Sequence, residues 1–144
     1  MSPSQTRGPV VIDTDVHGAS LVPESVLAAR YRPVIVGRPA FISFQTAAGL
    51  RFGALLRGWG QSRMVQLDAR IREAEVVHTG PDLVAVYADL RVACQRAGHA
   101  LSQREHDADR WIAATAIRLG IPLVSNDGIF TEVPELVLEF VPAD

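Results

Sequence analysis

The sequence predicts an α/β fold: one domain over residues 1–144, with a central parallel sheet of four to five strands flanked by helices. Three observations predict it. A chain of 144 residues suits one compact domain. Hydrophobic residues make up 48%, enough for a core and too many for a disordered chain. Short continuous apolar runs alternate with stretches of helical spacing. Unbroken apolar runs are the pattern of strands buried on both faces.

The elements follow in order. Val10–Val11–Ile12, after Gly8–Pro9, reads as a buried strand ending on Asp13–Thr14–Asp15. Pro23 is expected to open a helix through Ala28–Ala29 that stops before Pro33. Ala40–Phe41–Ile42–Ser43 reads as a second strand, and Gln45 to about Leu56 as a helix. Met64, Leu67, Ile71 and Ala74 define the next helix by their spacing. Glu75–His78 reads as a short third strand. Pro81 starts a helix with Leu83, Val86, Leu90, Ala93 and Ala97 on one face and Gly98 as terminator. Asp107–Leu119 is the strongest helical pattern, with Asp109, Ile112, Ala113 and Ala116 on one face and Gly120 at its end. Pro122–Ser125 reads as a strand, Asn126–Asp127–Gly128 as a turn, and Leu136–Phe140 as the final strand.

Composition narrows the function. No apolar run is long enough to span a membrane. The start, MSPSQTRGPV, lacks the charged and apolar regions of a secretion signal. A single cysteine excludes a disulfide framework and fits a reducing compartment. A cytoplasmic location is therefore expected. Net charge is −2, so the whole molecule is no obvious polyanion binder. All fourteen basic residues are arginine. Chemistry that needs a lysine amine is excluded, while bidentate phosphate contacts remain available.

In an open parallel sheet, ligands bind beyond the carboxyl ends of the strands. Asp13 directly follows the first strand. Asp127 follows a later one by two residues. Asp109 sits in the first turn of a helix, on its buried face, and is expected to point toward the sheet. Three acids thus have a reason to converge, and converging carboxylates repel one another. A hard cation relieves that conflict. Mg²⁺ (or Mn²⁺) takes oxygen ligands, keeps waters and needs only a few carboxylates plus a substrate phosphate. Such a site suits phosphodiester hydrolysis. Each acid alone also has a structural role open to it: Asp13 as a helix cap, Asp127 as a turn former, Asp109 and Asp107 as complements to a helix dipole. The joint pattern favours the metal site.

With these residues in place, the chain resembles the PIN-domain nucleases, and in particular the VapC toxins of type II toxin–antitoxin pairs. VVIDTDV resembles the opening strand and first acid of that family, and FISFQTAAGLRFGALLRG its second block. DADRWIAATAIRLGIPLVSND resembles the later acids with their helix and strand, and PELVLEF the closing strand. The resemblance implies a Mg²⁺-dependent endoribonuclease, usually a homodimer, held inactive by a cognate VapB-type antitoxin. It places Asp13, Asp109 and Asp127 at family acid positions. Thr46 matches a frequent threonine and Ser125 a hydroxyl residue beside the last acid. Asp15 stands where the family usually has asparagine or serine.

One position departs from the pattern. Gly49, in TAAGLRFGA, stands where the family normally has the glutamate that completes the metal site. A mid-helix glycine costs roughly 0.5–1 kcal/mol relative to alanine. One base change converts a glutamate codon to glycine, so a loss-of-function substitution is expected, natural or engineered. The alternative is a variant in which Asp15, Asp107 or water fills the gap.

The remaining residues carry weaker signals. His17, His78, His99 and His106 lack metal-ligand spacing and read as surface or helix-end groups. Cys94 reads as a small packed residue. Trp111 reads as packing or a dimer contact. Arg51, Arg57 and Arg110 read equally as RNA-phosphate contacts or solvated charges. Two other functions compete. VVIDTDV also fits a haloacid-dehalogenase-like phosphatase with Asp13 as nucleophile, but the lysine that family requires is missing. A catalytically inactive partner that binds antitoxin or RNA is the stronger rival.

Overall fold

The computed structural model describes residues 7–143; the rest of the predicted 1–144 domain, Met1–Thr6 and Asp144, lies outside the described residues. Five strands form one sheet: β1 (Val10–Ile12), β2 (Ala40–Ser43), β3 (Glu75–Val77), β4 (Leu123–Val124) and β5 (Leu138–Glu139). Their order is β3-β2-β1-β4-β5. All four pairings are parallel, with Val11 of β1 opposite Phe41 and Leu123 on its two sides. The central strand is buried throughout, as its unbroken apolar run requires. Val11 faces one core with Leu83, Leu90, Cys94 and Ile112. Val10 and Ile12 face the other, with Tyr31, Ile42, Leu67 and Ile71.

Among the described residues, six α-helices connect and cover the strands: α1 (Thr14–Ala19), α2 (Val26–Ile35), α3 (Phe44–Leu56), α4 (Gln61–Ile71), α5 (Pro81–Ala97) and α6 (Asp107–Leu119). Among the described residues, no helix is long and apolar enough to cross a membrane. Gly98 and Gly120 close α5 and α6 in the left-handed conformation, with φ of 67° and 68°.

Five expectations need correction. The first helix was missed. Thr14–Ala19 is too short for periodicity to show, and Asp13 caps it, its Oδ1 accepting from the Thr14 amide at 2.7 Å. The next helix opens at Val26 rather than Pro23, because the Ser25 hydroxyl accepts from the Ala28 amide at 3.1 Å. It also runs through Pro33 to Ile35. Arginines help complete its last turn: Arg7 Nη1 donates to the Pro33 and Val34 carbonyls at 2.9 and 3.0 Å, and Arg38 Nη1 to Val34 at 3.1 Å. Finally, Ala74 lies past the end of α4, and Cys94 rather than Ala97 completes the buried face of α5. Cys94 is packed, as expected.

Candidate metal centre

The carboxyl ends of β1 and β4 and the start of α6 bring the acids together. Asp13 ends β1 and is only 4% exposed. Its two oxygens have separate partners. Oδ1 caps α1, and Oδ2 accepts from the Ser125 hydroxyl at 2.7 Å, linking the ends of β1 and β4. Helix cap and site acid are thus one residue.

Burial pushes the Asp13 carboxyl from its ordinary 3.8 up to about 7, and the neighbouring Asp15 charge and then Asp109 add to the rise against the hydrogen bonds from Ser125 and Thr14. Asp15 is also raised, first by burial and further by the charge of Asp127, against hydrogen bonds from the Val16 and Asn126 amides. Its oxygens accept from Val16 at 2.7 Å and from Asn126 at 3.0 Å. The four acids therefore share one electrostatic neighbourhood: Asp13 with Asp15 and Asp109, and Asp15 with Asp127.

They do not close around a point. Among the described residues, no group of three or more His, Cys, Asp or Glu side chains is arranged to hold a metal ion. Other partners hold two of the acids. Asp127 Oδ1 accepts from the Ile129 amide at 3.0 Å, capping a short turn, and Asp109 Oδ2 lies 3.1 Å from His106 Nδ1. The donor set still fits a hard divalent cation. It is all oxygen, and among the described residues no arginine forms an ion pair with Asp13, Asp15, Asp109 or Asp127.

Thr46, on the first turns of α3, is fully buried, and its hydroxyl lies 2.9 Å from that of Thr14. Gly49 follows Thr46 by three residues and is exposed. A Cβ built on it would meet only the Thr14 methyl, at 3.9 Å, an ordinary contact. Position 49 therefore faces Thr14, the residue between Asp13 and Asp15, and has room for a side chain.

Asp107 does not join the other acids. Its carboxylate takes hydrogen bonds from the Tyr87 hydroxyl and from Arg110 Nη2, the latter at 3.2 Å. Arg110 needs that charge because it is 1% exposed, and its Nη1 also serves the Leu101 and Gln103 carbonyls. A buried arginine with these partners is neither a phosphate contact nor a solvated charge, which corrects both halves of its expectation. Arg51 is paired with Asp68. Trp111 packs as expected, stacked on Tyr87 with ring centroids 4.0 Å apart. His17 is buried rather than superficial, and His106, read as a helix end, also touches Asp109.

Sequence reasoning missed Tyr31. Its buried hydroxyl donates to the Ser125 carbonyl at 3.1 Å and the Asn126 Oδ1 at 3.0 Å, and accepts from the Val141 amide at 3.0 Å. It fixes the loop that carries Ser125 and Asp127. No sequence signal marks a contact across 94 residues. Tyr31→Phe should cost about 1–2 kcal/mol by orphaning these groups, measured as urea unfolding. An unchanged midpoint would remove this role.

A parallel α/β sheet with acids beyond its central strand ends defines the class: an α/β domain with its acids gathered at the carboxyl ends of β1 and β4. Residues 10–136 match the PIN domain, and the chain belongs to that family. The competing phosphatase assignment is thereby overturned. No curated protein matches the chain. Several solved structures share the fold. VapBC2 from Rickettsia felis, bound to a DNA fragment from its promoter, is 20% identical with a TM-score of 0.75, covering 93% of this chain and 99% of that one. FitAcB from Neisseria gonorrhoeae is 22% identical at 0.70, covering 90% and 95%. DNA-bound VapBC from Salmonella typhimurium is 18% identical at 0.73, covering 92% and 97%.

Proposed function

We propose that the chain is the toxin of a type II toxin–antitoxin pair, a VapC-type endoribonuclease whose activity is lowered by Gly49. The observation that carries this is Asp13: buried, uncompensated by any described arginine, and raised to about 7 beside Asp15 and Asp109. A stability role alone does not account for a carboxylate held at such a disadvantage. Asp13, Asp109 and Asp127 are the residues to hold Mg²⁺ or Mn²⁺, with Asp15, Thr46 and Ser125 around them. When bound, the ion supplies water activation and charge neutralisation at a phosphodiester. The chain's own part is placement. Ser125 orients Asp13, the Asn126 amide orients Asp15, and His106 steadies Asp109.

The fold likeness to VapBC complexes supports a VapB-type antitoxin as partner; RNA as substrate, a homodimer and a cytoplasmic setting are the rest of this proposal. The inactive-partner reading keeps one observation in its favour, the glycine at position 49. Calorimetry with Mn²⁺ and Mg²⁺ decides between them. The nuclease reading expects measurable binding that Asp109→Asn weakens by at least about tenfold. Absence of metal binding, with antitoxin binding kept, favours the partner role.

A further inference from the structure

We infer that Arg30 is a phosphate-binding residue for the RNA strand beside the acid cluster; this rests on the nuclease reading above. Arg30 lies in α2, and its Nη1 reaches the Asn126 Oδ1 at 3.3 Å. Asn126 sits between Ser125 and Asp127, and its amide holds Asp15. The guanidinium therefore stands at the rim of the acids, next to the loop that carries one of them.

That placement leaves its charge available. Four other arginines are engaged in ion pairs, Arg38 with Glu139, Arg51 with Asp68, Arg70 with Glu73 and Arg110 with Asp107; what sets Arg30 apart is its place beside the acid-bearing loop. Among the described residues, no carboxylate lies within ion-pair distance of Arg30. Its one hydrogen bond is long and goes to a neutral oxygen that the Tyr31 hydroxyl already serves at 3.0 Å. The loop does not depend on Arg30. A half-buried arginine with unused donors is the group that binds phosphate in bidentate fashion. The acids give it a purpose, since a polyanion approaching four carboxylates needs a cation next to them.

The test uses the full chain and a short fluorescein-labelled single-stranded RNA, followed by anisotropy across a salt series. Arg30→Gln keeps an amide donor for Asn126 and removes the charge. It should weaken binding about five- to tenfold and lower the slope of log affinity against log salt by about 0.7, with the melting temperature unchanged. Arg30→Lys should restore the slope. An unchanged affinity and slope in Arg30→Gln overturns the inference while leaving the nuclease reading intact. A fall in melting temperature without a change in slope assigns Arg30 to loop support and also overturns it. If the unaltered chain binds no RNA at any salt, the nuclease reading itself fails, and this inference with it.

Discussion

Gly49→Glu raises Mg²⁺-dependent RNA cleavage by at least about 100-fold over the chain as it stands, the scale on which one well-placed charged group contributes to a transition state. The reasons are local. Position 49 lies one turn beyond Thr46 on α3, open toward Thr14 and the capped end of β1, with nothing closer than 3.9 Å to a new Cβ. A glutamate there needs no repacking. It also removes the helix cost of glycine, roughly 0.5–1 kcal/mol. Without metal, the added carboxylate joins acids that already repel one another, so the gain in melting temperature should appear only when Mg²⁺ is present. Cleavage assays on a labelled RNA, with and without EDTA, measure the first effect, and thermal melts with and without Mg²⁺ measure the second. Equal cleavage by the glycine and glutamate forms would show that Asp15 or water already serves in place of the missing acid.

Asp13→Asn stabilises the metal-free protein at neutral pH and abolishes its stabilisation by metal. The folded chain holds the Asp13 proton up to about pH 7, whereas the carboxyl is ordinarily lost near 3.8. Between those values the folded state binds more protons, so stability falls as pH rises. The stability due to the proton is fully present below about pH 4 and gone above about pH 7. In EDTA, the unaltered chain should lose on the order of 2 kcal/mol between about pH 5.5 and about pH 8 through this group. The asparagine form should lack that component of the pH dependence. Saturating Mg²⁺ at about 100 times its Kd should stabilise the unaltered chain by about 2.7 kcal/mol and leave the variant unmoved. Urea titrations at two pH values, with and without metal, read all of this. Identical pH profiles for the two proteins would refute the burial argument.

Much of the site was legible because strand ends are legible. Val10–Ile12 is an unbroken apolar run, and an acid directly after such a run has one place to be. Asp109 was legible through its helix face, shared with Ile112, Ala113 and Ala116. Asp107, two residues earlier, lies roughly 200° round the helix from Asp109, and so off that face. Its partner Arg110 lies one turn on, and the burial of that arginine shows which way the pair is turned. Helix α1 was illegible for another reason. Six residues containing a glycine and two β-branched side chains show neither periodicity nor propensity, so the cap by Asp13 makes the element. Tyr31 and Arg30 reach a loop more than ninety residues away, and local pattern carries no information at that distance.

The strand order has a consequence for the timing of synthesis. β1 is made first among the strands yet sits in the middle of the sheet, with β4 as one of its two neighbours. Ser125, the hydroxyl that holds Asp13 in place, lies 112 residues further along the chain. A ribosome making this protein has therefore added 112 residues beyond Asp13 before that acid meets the Ser125 hydroxyl. The segment after β1 can begin to fold as it emerges, but the acid cluster cannot. A chain interrupted before β4 carries Asp13 and no site, so truncated translation products should bind no metal at this position.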